Sequence, residues 1–371
     1  MAQYEQVEVQ PGRTDRLVTL AWQVVSTIGV PLIAFIVLWQ GFLFLRDTSA
    51  PKYITAGIAI VWGVGGVAAI YYILNWLIEK LPSQIRSRVL PFLFVGPAMA
   101  ILAWYLVLPV FLSFLLSLQN ATSTAWVGLA NYAFALSDPT MVEAIRNNVF
   151  WLILGTGFST GAGLLVAILA ERATYARVAK ILIFLPMAIS FVGAGIIWKF
   201  VYAYKPEGAD QIGFLNGIVT ALGFPPQSWL TALPANTFFL ILILIWSQTG
   251  FAMVILSAAL NGVPDELREA ARIDGASEVQ VYRRVVIPYI RGSIVTVSTT
   301  IAILTLKIFD IVVTMTGGNF GTEVIATLQF KQMFQFFDNG RGSALAIILL
   351  IAVTPVVWYN LRQFGEQRGF K

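Results

Sequence analysis

The chain has 371 residues, of which 58% are hydrophobic and 12% charged, about half the charged share of a soluble domain. It contains no Cys and no His, which excludes disulfides, thiolate chemistry, His-ligated metal and every Ser-His or Cys-His catalytic pair. The formal net charge of +5 does not imply a nucleic-acid partner here, because basic residues in a membrane chain collect in cytoplasmic loops.

Several apolar stretches exceed the ~20 residues that cross a bilayer as a helix. They run without a two-residue alternation, so helices and not a barrel satisfy the backbone in lipid. The fold class predicted is an all-α polytopic membrane protein with about eight transmembrane helices. After a polar segment at 1–16, the first span runs from Leu17 to Leu45 and the second from Tyr53 to Ile78. The first apolar run is too long for a signal-peptide core and no small-x-small site closes it, so 17–80 is read as a retained N-terminal hairpin. Residues 81–88, with Pro82, Ser83 and two Arg, read as a linker to a six-helix body at 89–363. Its spans are Val89–Leu118, Asn148–Ala170, Ala179–Tyr204, Asn236–Leu260, Gly292–Val313 and Ser343–Leu361, with a tail at 364–371. Pro31, Pro97, Pro109, Pro186 and Pro355 are candidate kinks.

Lys and Arg concentrate in alternate loops: Lys80, Arg86 and Arg88; then Arg172, Arg177 and Lys180; then Arg268, Arg272, Arg283, Arg284 and Arg291; and finally Arg362, Arg368 and Lys371. By the positive-inside rule both termini, and the polar loop at 262–291, face the cytoplasm.

That loop has a local logic of its own. Pro264 suits a first helical position, with Asp265 and Glu266 in the first turn. The helix is predicted to run to Asp274, with Gly275 taking a left-handed stop. Ser277 with Gln280 forms a capping box for a second helix, which Pro288 and Gly292 end. Leu267, Ala270 and Ala271 share one face, flanked by Glu269 and Arg272. Such a short, stiff helix suits a groove on another protein, and it equally suits an ordinary amphipathic connection.

Glu269-Ala270-Ala271, Gly275 and Ile287-Pro288 fall at the spacing of the EAA loop, and the chain resembles ABC-importer permeases. Arg272-Ile-Asp274-Gly275-Ala-Ser277 is similar to the sugar-permease form, with Val285 and Ile287 as mild departures. Trp126-Val-Gly-Leu-Ala-Asn-Tyr132, Phe184-Leu-Pro-Met-Ala-Ile-Ser190 with Trp198-Lys199, and Phe309-Asp310 with Thr316-Gly-Gly318 also resemble carbohydrate-permease phrases. The likeness covers roughly Val89 to Leu361. The N-terminal hairpin resembles the extra helices of maltose and α-glucoside subunits, whose large outer domain has no counterpart here. The resemblance implies an inner-membrane permease working by alternating access. It implies a second permease subunit, two ATP-binding subunits and an extracytoplasmic solute-binding protein as partners, besides membrane lipid. Glu269, Ala270, Ala271, Arg272, Asp274, Gly275 and Pro288 would couple it to the ATPases. No P-loop pattern occurs, so no cofactor is expected in this chain, ATP and Mg being bound by the partner subunits.

Pathway candidates come from polar residues within the spans. Lys307 and Asp310 are the ionisable pair of the seventh span, and three-residue spacing allows either a mutual bridge or solute contact. Thr300 and Thr305 could face solute or bond their own helix. Trp246, Gln248, Thr249 and Ser190 are further candidates. Gly157-x-Ser159-x-Gly161 matches a hydrolase elbow, but without His it reads as a small-residue packing face. A gradient-driven carrier or channel using Lys307 and Asp310 is the alternative from another class. Broken helices and inverted repeats would favour it, and the sequence shows no clear sign of either.

Overall fold

The computed structural model describes residues 13–80, 82–171 and 175–368. The expectations for 1–12, Arg172 and Lys371 lie outside the described residues. Among those residues there is no strand, only an isolated bridge between Gln119 and Trp126. Six helices are long and apolar enough to cross a membrane: α1 (Arg13–Asp47), α2 (Lys52–Glu79), α3 (Ser83–Ser117), α5 (Pro139–Glu171), α9 (Asn236–Asn261) and α15 (Asn339–Arg368). Between α3 and α5 lies the short α4 (Ala130–Ser137). Two further spans are bent pairs. They are α6 (Ala176–Ala188) with α7 (Phe191–Val201), at 104°, and α11 (Glu278–Tyr289) with α12 (Arg291–Leu306), at 72°. Shorter helices complete the chain: α8 (Phe214–Ala221), α10 (Asp265–Ile273), α13 (Asp310–Met315) and α14 (Ile325–Phe330).

The chain divides into two compact units, Met1–Pro109 and Val110–Lys371, and the division falls inside α3. The expected linker at 81–88 is largely helix, since α3 begins at Ser83 behind Pro82. In the first unit, Tyr71 stacks on Phe94 and the Lys80 ammonium lies over the Trp76 ring at 3.4 Å. Only Ile78 and Leu93 are buried there among the described residues.

In the second unit α9 is the axis. Its upper half packs with Trp151, Tyr202, Ile311, Val312 and Met315, and its lower half with Val281, Val286, Ile290, Val297 and Ile301. Close approach of α5 makes this possible. A Cβ on Gly163 would stand 2.4 Å from the Ala252 Cβ, and one on Gly155 would stand 2.8 Å from Leu244. The packing stripe is therefore Gly155, Ser159, Gly163 and Ala167, four residues apart along one face. The pair expected to do this, Gly157 and Gly161, looks away from α9 and has nothing within 4 Å.

The expected fifth and seventh spans are broken rather than continuous. Pro186 ends α6 in a tight 3-10 turn, and Ser190 caps α7 by accepting from the Gly193 amide at 3.1 Å. In the seventh span α12 stops at Leu306, whose carbonyl takes a bond from Asn148 Nδ2 at 3.2 Å, and the chain resumes at Asp310. A polar side chain from α5 thus satisfies a carbonyl that the break frees, as a low-dielectric environment requires. Pro31, Pro97, Pro109 and Pro355 stay within continuous helices.

Gly163→Leu is expected to cost about 3 kcal/mol by overpacking α5 against α9. Gly161→Leu is expected to leave the folded fraction unchanged. Thermal unfolding of the purified protein, followed by size exclusion, checks both.

Candidate functional site

The turn from α9 to α11 folds as the sequence dictates. Asp265 and Glu266 fill the first turn of α10 behind Pro264, which sits at the cap position, one residue earlier than expected. α10 ends at Ile273 with Asp274 as its cap, and Gly275 takes φ +83°. That left-handed backbone, not crowding, calls for glycine, since a Cβ there would meet no atom within 4 Å. Ser277 and Gln280 form the capping box, with Ser277 N–H donating to Gln280 Oε1 at 2.8 Å. Pro288 lies just after a wide π turn at Tyr282–Val286, and the chain bends at Ile290 into α12.

This turn is anchored, not loose. Val263, Val281, Val286 and Ile290 are buried in the lower core, with Ala271 and Ala276 packed on it. Glu171, the last residue of α5, holds the polar side. It accepts from Tyr282 Oη at 2.7 Å and pairs with Arg268 at 3.5 Å, both side chains being mostly buried. Arg268 also donates to the Leu260 carbonyl at 2.8 Å, locking α10 to the end of α9. Across the Gly275 bend, Arg272 Nε donates to Glu278 at 2.8 Å, and this bond holds the guanidinium above the usual arginine range. Both groups are exposed, so the pair adds little stability. Glu269 and Ala270 are exposed, as are Leu267, Ile273 and Val279. Of the three residues expected on one face, Ala271 turns inward while Leu267 and Ala270 face out.

The second feature is a cavity of about 290 Å³ beside the α6–α7 break. Ser190, Gln248 and Thr300, all expected in a pathway, line it together with Ser247, Phe191 and Phe251. Gln248 is nearly buried, and its amide has no hydrogen-bond partner among the described residues; the buried Ser247 hydroxyl has none either. Thr300 donates to the Thr296 carbonyl at 2.8 Å and still borders the cavity.

The other pathway candidates are dispersed. Thr305 is fully buried and donates to the Ile301 carbonyl, so it does not reach the cavity. Thr249 bonds the Ile245 carbonyl at 2.6 Å. Trp246 packs edge-on against Trp198 at 5.8 Å, on the upper core. Lys307 caps α12 and Asp310 opens α13; both are exposed, and no ion pair joins them among the described residues. The helix break removes the three-residue bridge that the spacing allowed. Lys307 continues the face of Thr300 and Leu304, four and three residues apart.

Sequence reasoning passed over three features. Glu171 is a lone acid at the end of a span before a basic loop, which was a usable signal. Asn147, Asn148 and Asn236 grip the Phe320–Ile325 segment, with Asn147 Nδ2 donating to the carbonyls of Gly321 and Glu323 at 2.8 Å each. A nearly buried Glu323 pairs with Lys331 and accepts from Thr327.

These features define a multi-pass helical membrane protein with a rigid polar helix-turn-helix at one end and a half-polar cavity at a helix break. Residues 159–368 match the model of the binding-protein-dependent transport system inner membrane component, and the chain belongs to that family of ABC-importer permeases. It is a transport subunit of the inner membrane and not an enzyme. It is 54% identical to the osmoprotective compounds uptake permease GgtC of Synechocystis sp., over 75% of this chain and 100% of that one. It is 44% identical to the alpha-glucoside transport system permease AglF of Rhizobium meliloti, over 86% of this chain and 99% of that one. Among solved structures, a bacterial importer of the acidic polysaccharide alginate shares the fold, with TM-score 0.64, 20% identity, 75% of this chain and 97% of that chain covered. The family match overturns the gradient-driven alternative despite the broken helices that would have favoured it.

Glu171→Ala leaves Arg268 and Tyr282 without their common acceptor. Amide exchange over 265–273 is expected to quicken about tenfold or more, with α9 unchanged, as hydrogen-exchange mass spectrometry will read.

Proposed function

We propose that this chain is the membrane half of an ATP-driven importer of an α-glucoside or maltose-like sugar. The observation that carries the reading is the cavity at the α6–α7 break, where the unpartnered Gln248 amide and the Ser190, Ser247 and Thr300 hydroxyls stand beside Phe191 and Phe251. Amides and hydroxyls match sugar hydroxyls, and aromatic rings match the apolar faces of sugar rings. The name of the Rhizobium meliloti relative supports the same solute class. An osmoprotective compound is the second reading, favoured by the higher identity of the Synechocystis relative.

In this proposal both termini and the α10–α11 turn face the cytoplasm. A second permease subunit pairs with this chain, an extracytoplasmic binding protein delivers solute, and two ATP-binding subunits hold ATP and Mg. Glu269, Ala270, Arg272, Asp274 and Gly275 present the docking helix, with Ala271 and Pro288 fixing its seat. ATP-driven closure of the ATPases moves α10, and the helices bonded to it carry that motion to the cavity.

Three variants test the two halves separately. Gly275→Asp and Glu269→Lys are expected to reduce ATPase recovery in pull-downs from native membranes and to abolish uptake. Wild-type levels of both would sink the coupling role. Gln248→Leu is expected to leave the assembly intact and to raise the KM for α-glucoside uptake about tenfold, the weight of one good hydrogen bond. An unchanged KM would remove the cavity from the solute path. Uptake of an osmoprotective compound in preference to α-glucosides would select the second reading.

A further inference from the structure

A second cavity, open and polar, of about 440 Å³, lies under the α10–α11 turn. Glu171, Lys180, Asn261, Arg268, Arg272 and Tyr282 supply its polar lining. Its charges do not balance. Glu171 is matched by Arg268, and Arg272 has Glu278, so the Lys180 ammonium is left over. Among the described residues Lys180 bonds only the Ser257 hydroxyl, a neutral acceptor. Arg268 uses its Nη2 twice, on Glu171 and on the Leu260 carbonyl, and among the described residues its buried Nε has no partner. The Asn261 side chain is exposed at the rim. Three cationic side chains, Lys180, Arg268 and Arg272, face one carboxylate, Glu171, across this lining, and a half-buried ammonium whose acceptor is neutral favours an anion beside it.

We infer that this cavity binds a phosphate-bearing anion, with Lys180 supplying the charge and Asn261 a donor at the rim. The favoured source is an anionic lipid headgroup. The cavity is lined by the terminal residues of two membrane helices, Glu171 of α5 and Asn261 of α9. Basic pockets between membrane helices take up headgroups in this way. A free phosphate shares the same recognition chemistry. Either ligand would bridge the end of α5, α6, the end of α9 and α10, and so stiffen the turn.

The test uses the full chain, purified with its accompanying subunits, in phosphatidylcholine nanodiscs carrying a minor fraction of phosphatidylglycerol. Native mass spectrometry reads which lipid is retained, and thermal shift with inorganic phosphate reads the soluble-anion arm. Wild type is expected to retain phosphatidylglycerol over phosphatidylcholine, and Lys180→Gln to lose about fivefold of that preference, the weight of one basic residue near a headgroup. Asn261→Asp, which sets a negative charge at the exposed rim without touching the core, is expected to lose as much. Arg291→Gln removes the same charge from the same end of the body but outside the cavity, and is expected to change nothing. Stabilisation by phosphate that Lys180→Gln and Asn261→Asp abolish, without lipid preference, would support the site with a soluble anion as its ligand. The inference is overturned if wild type prefers neither anion, or if Arg291→Gln lowers retention as far as Lys180→Gln does. The retention readout needs neither an ATPase nor a sugar, so it stands or falls apart from the solute proposal.

Discussion

The contact between α5 and α9 is the constraint on which the second unit depends. Lipid offers no hydrophobic reward for pairing two apolar helices, so small side chains must supply it through close backbone approach and dispersion. Gly155, Ser159, Gly163 and Ala167 do this against Leu244, Ala252 and Met253. α6 approaches the same axis as closely, since a Cβ on Gly250 would stand 2.4 Å from the Ile183 carbonyl oxygen. Once α9 is fixed, everything of functional interest hangs from it. Gln248 lies on its middle, and Arg268 seals its end to α10.

The second constraint is backbone satisfaction, which decides where helices can break. At Ser190 and Leu306 the freed groups find a hydroxyl and an asparagine amide. Breaks at those points open polar space at depth without exposing peptide groups to lipid. The cavity at the α6–α7 break is a direct result. The exposed Lys307 and Asp310 at the second break follow from the same logic, because charges at a helix terminus within a span tolerate water or a partner surface but not hydrocarbon.

Much of this was legible in the sequence where the signal was local. Pro264, Gly275 and the Ser277–Gln280 pair act through backbone groups within a few residues, so the α10–α11 turn could be drawn from spacing alone. The spans were legible from length. The breaks were not, because the partner that permits the second one, Asn148, is 158 residues away from Leu306 in sequence. The same holds for the packing stripe. Gly157 and Gly161 have the small-residue spacing as fully as Gly155 and Gly163, and only the direction of α9 decides between two faces of one helix. Glu171 escaped notice because its partners lie in a different loop, 97 and 111 positions on. Among the pathway candidates, Gln248 and Thr305 looked alike as polar residues in apolar spans. The structure separates them by burial against a cavity or against another helix.

The geometry also limits how a movement of α10 could reach the cavity. Gln248 lies twelve residues before Leu260, about 18 Å along a single helix, and Thr300 lies nine residues after Arg291, about 14 Å along another. Both helices leave the α10–α11 turn, so a displacement there arrives at two walls of the cavity with little loss in bending. The third wall behaves differently. Lys180 and Ser257 tie the lower part of α6 to α9, whereas α7, beyond the Ser190 break, packs into the upper core through Ala194, Trp198 and Tyr202. In the proposed mechanism the break would join a segment that follows the turn to one that stays with the upper core. A hinge between a driven and a stationary body is where a cavity would open or close, and Gln248, Ser190 and Thr300 lie around it.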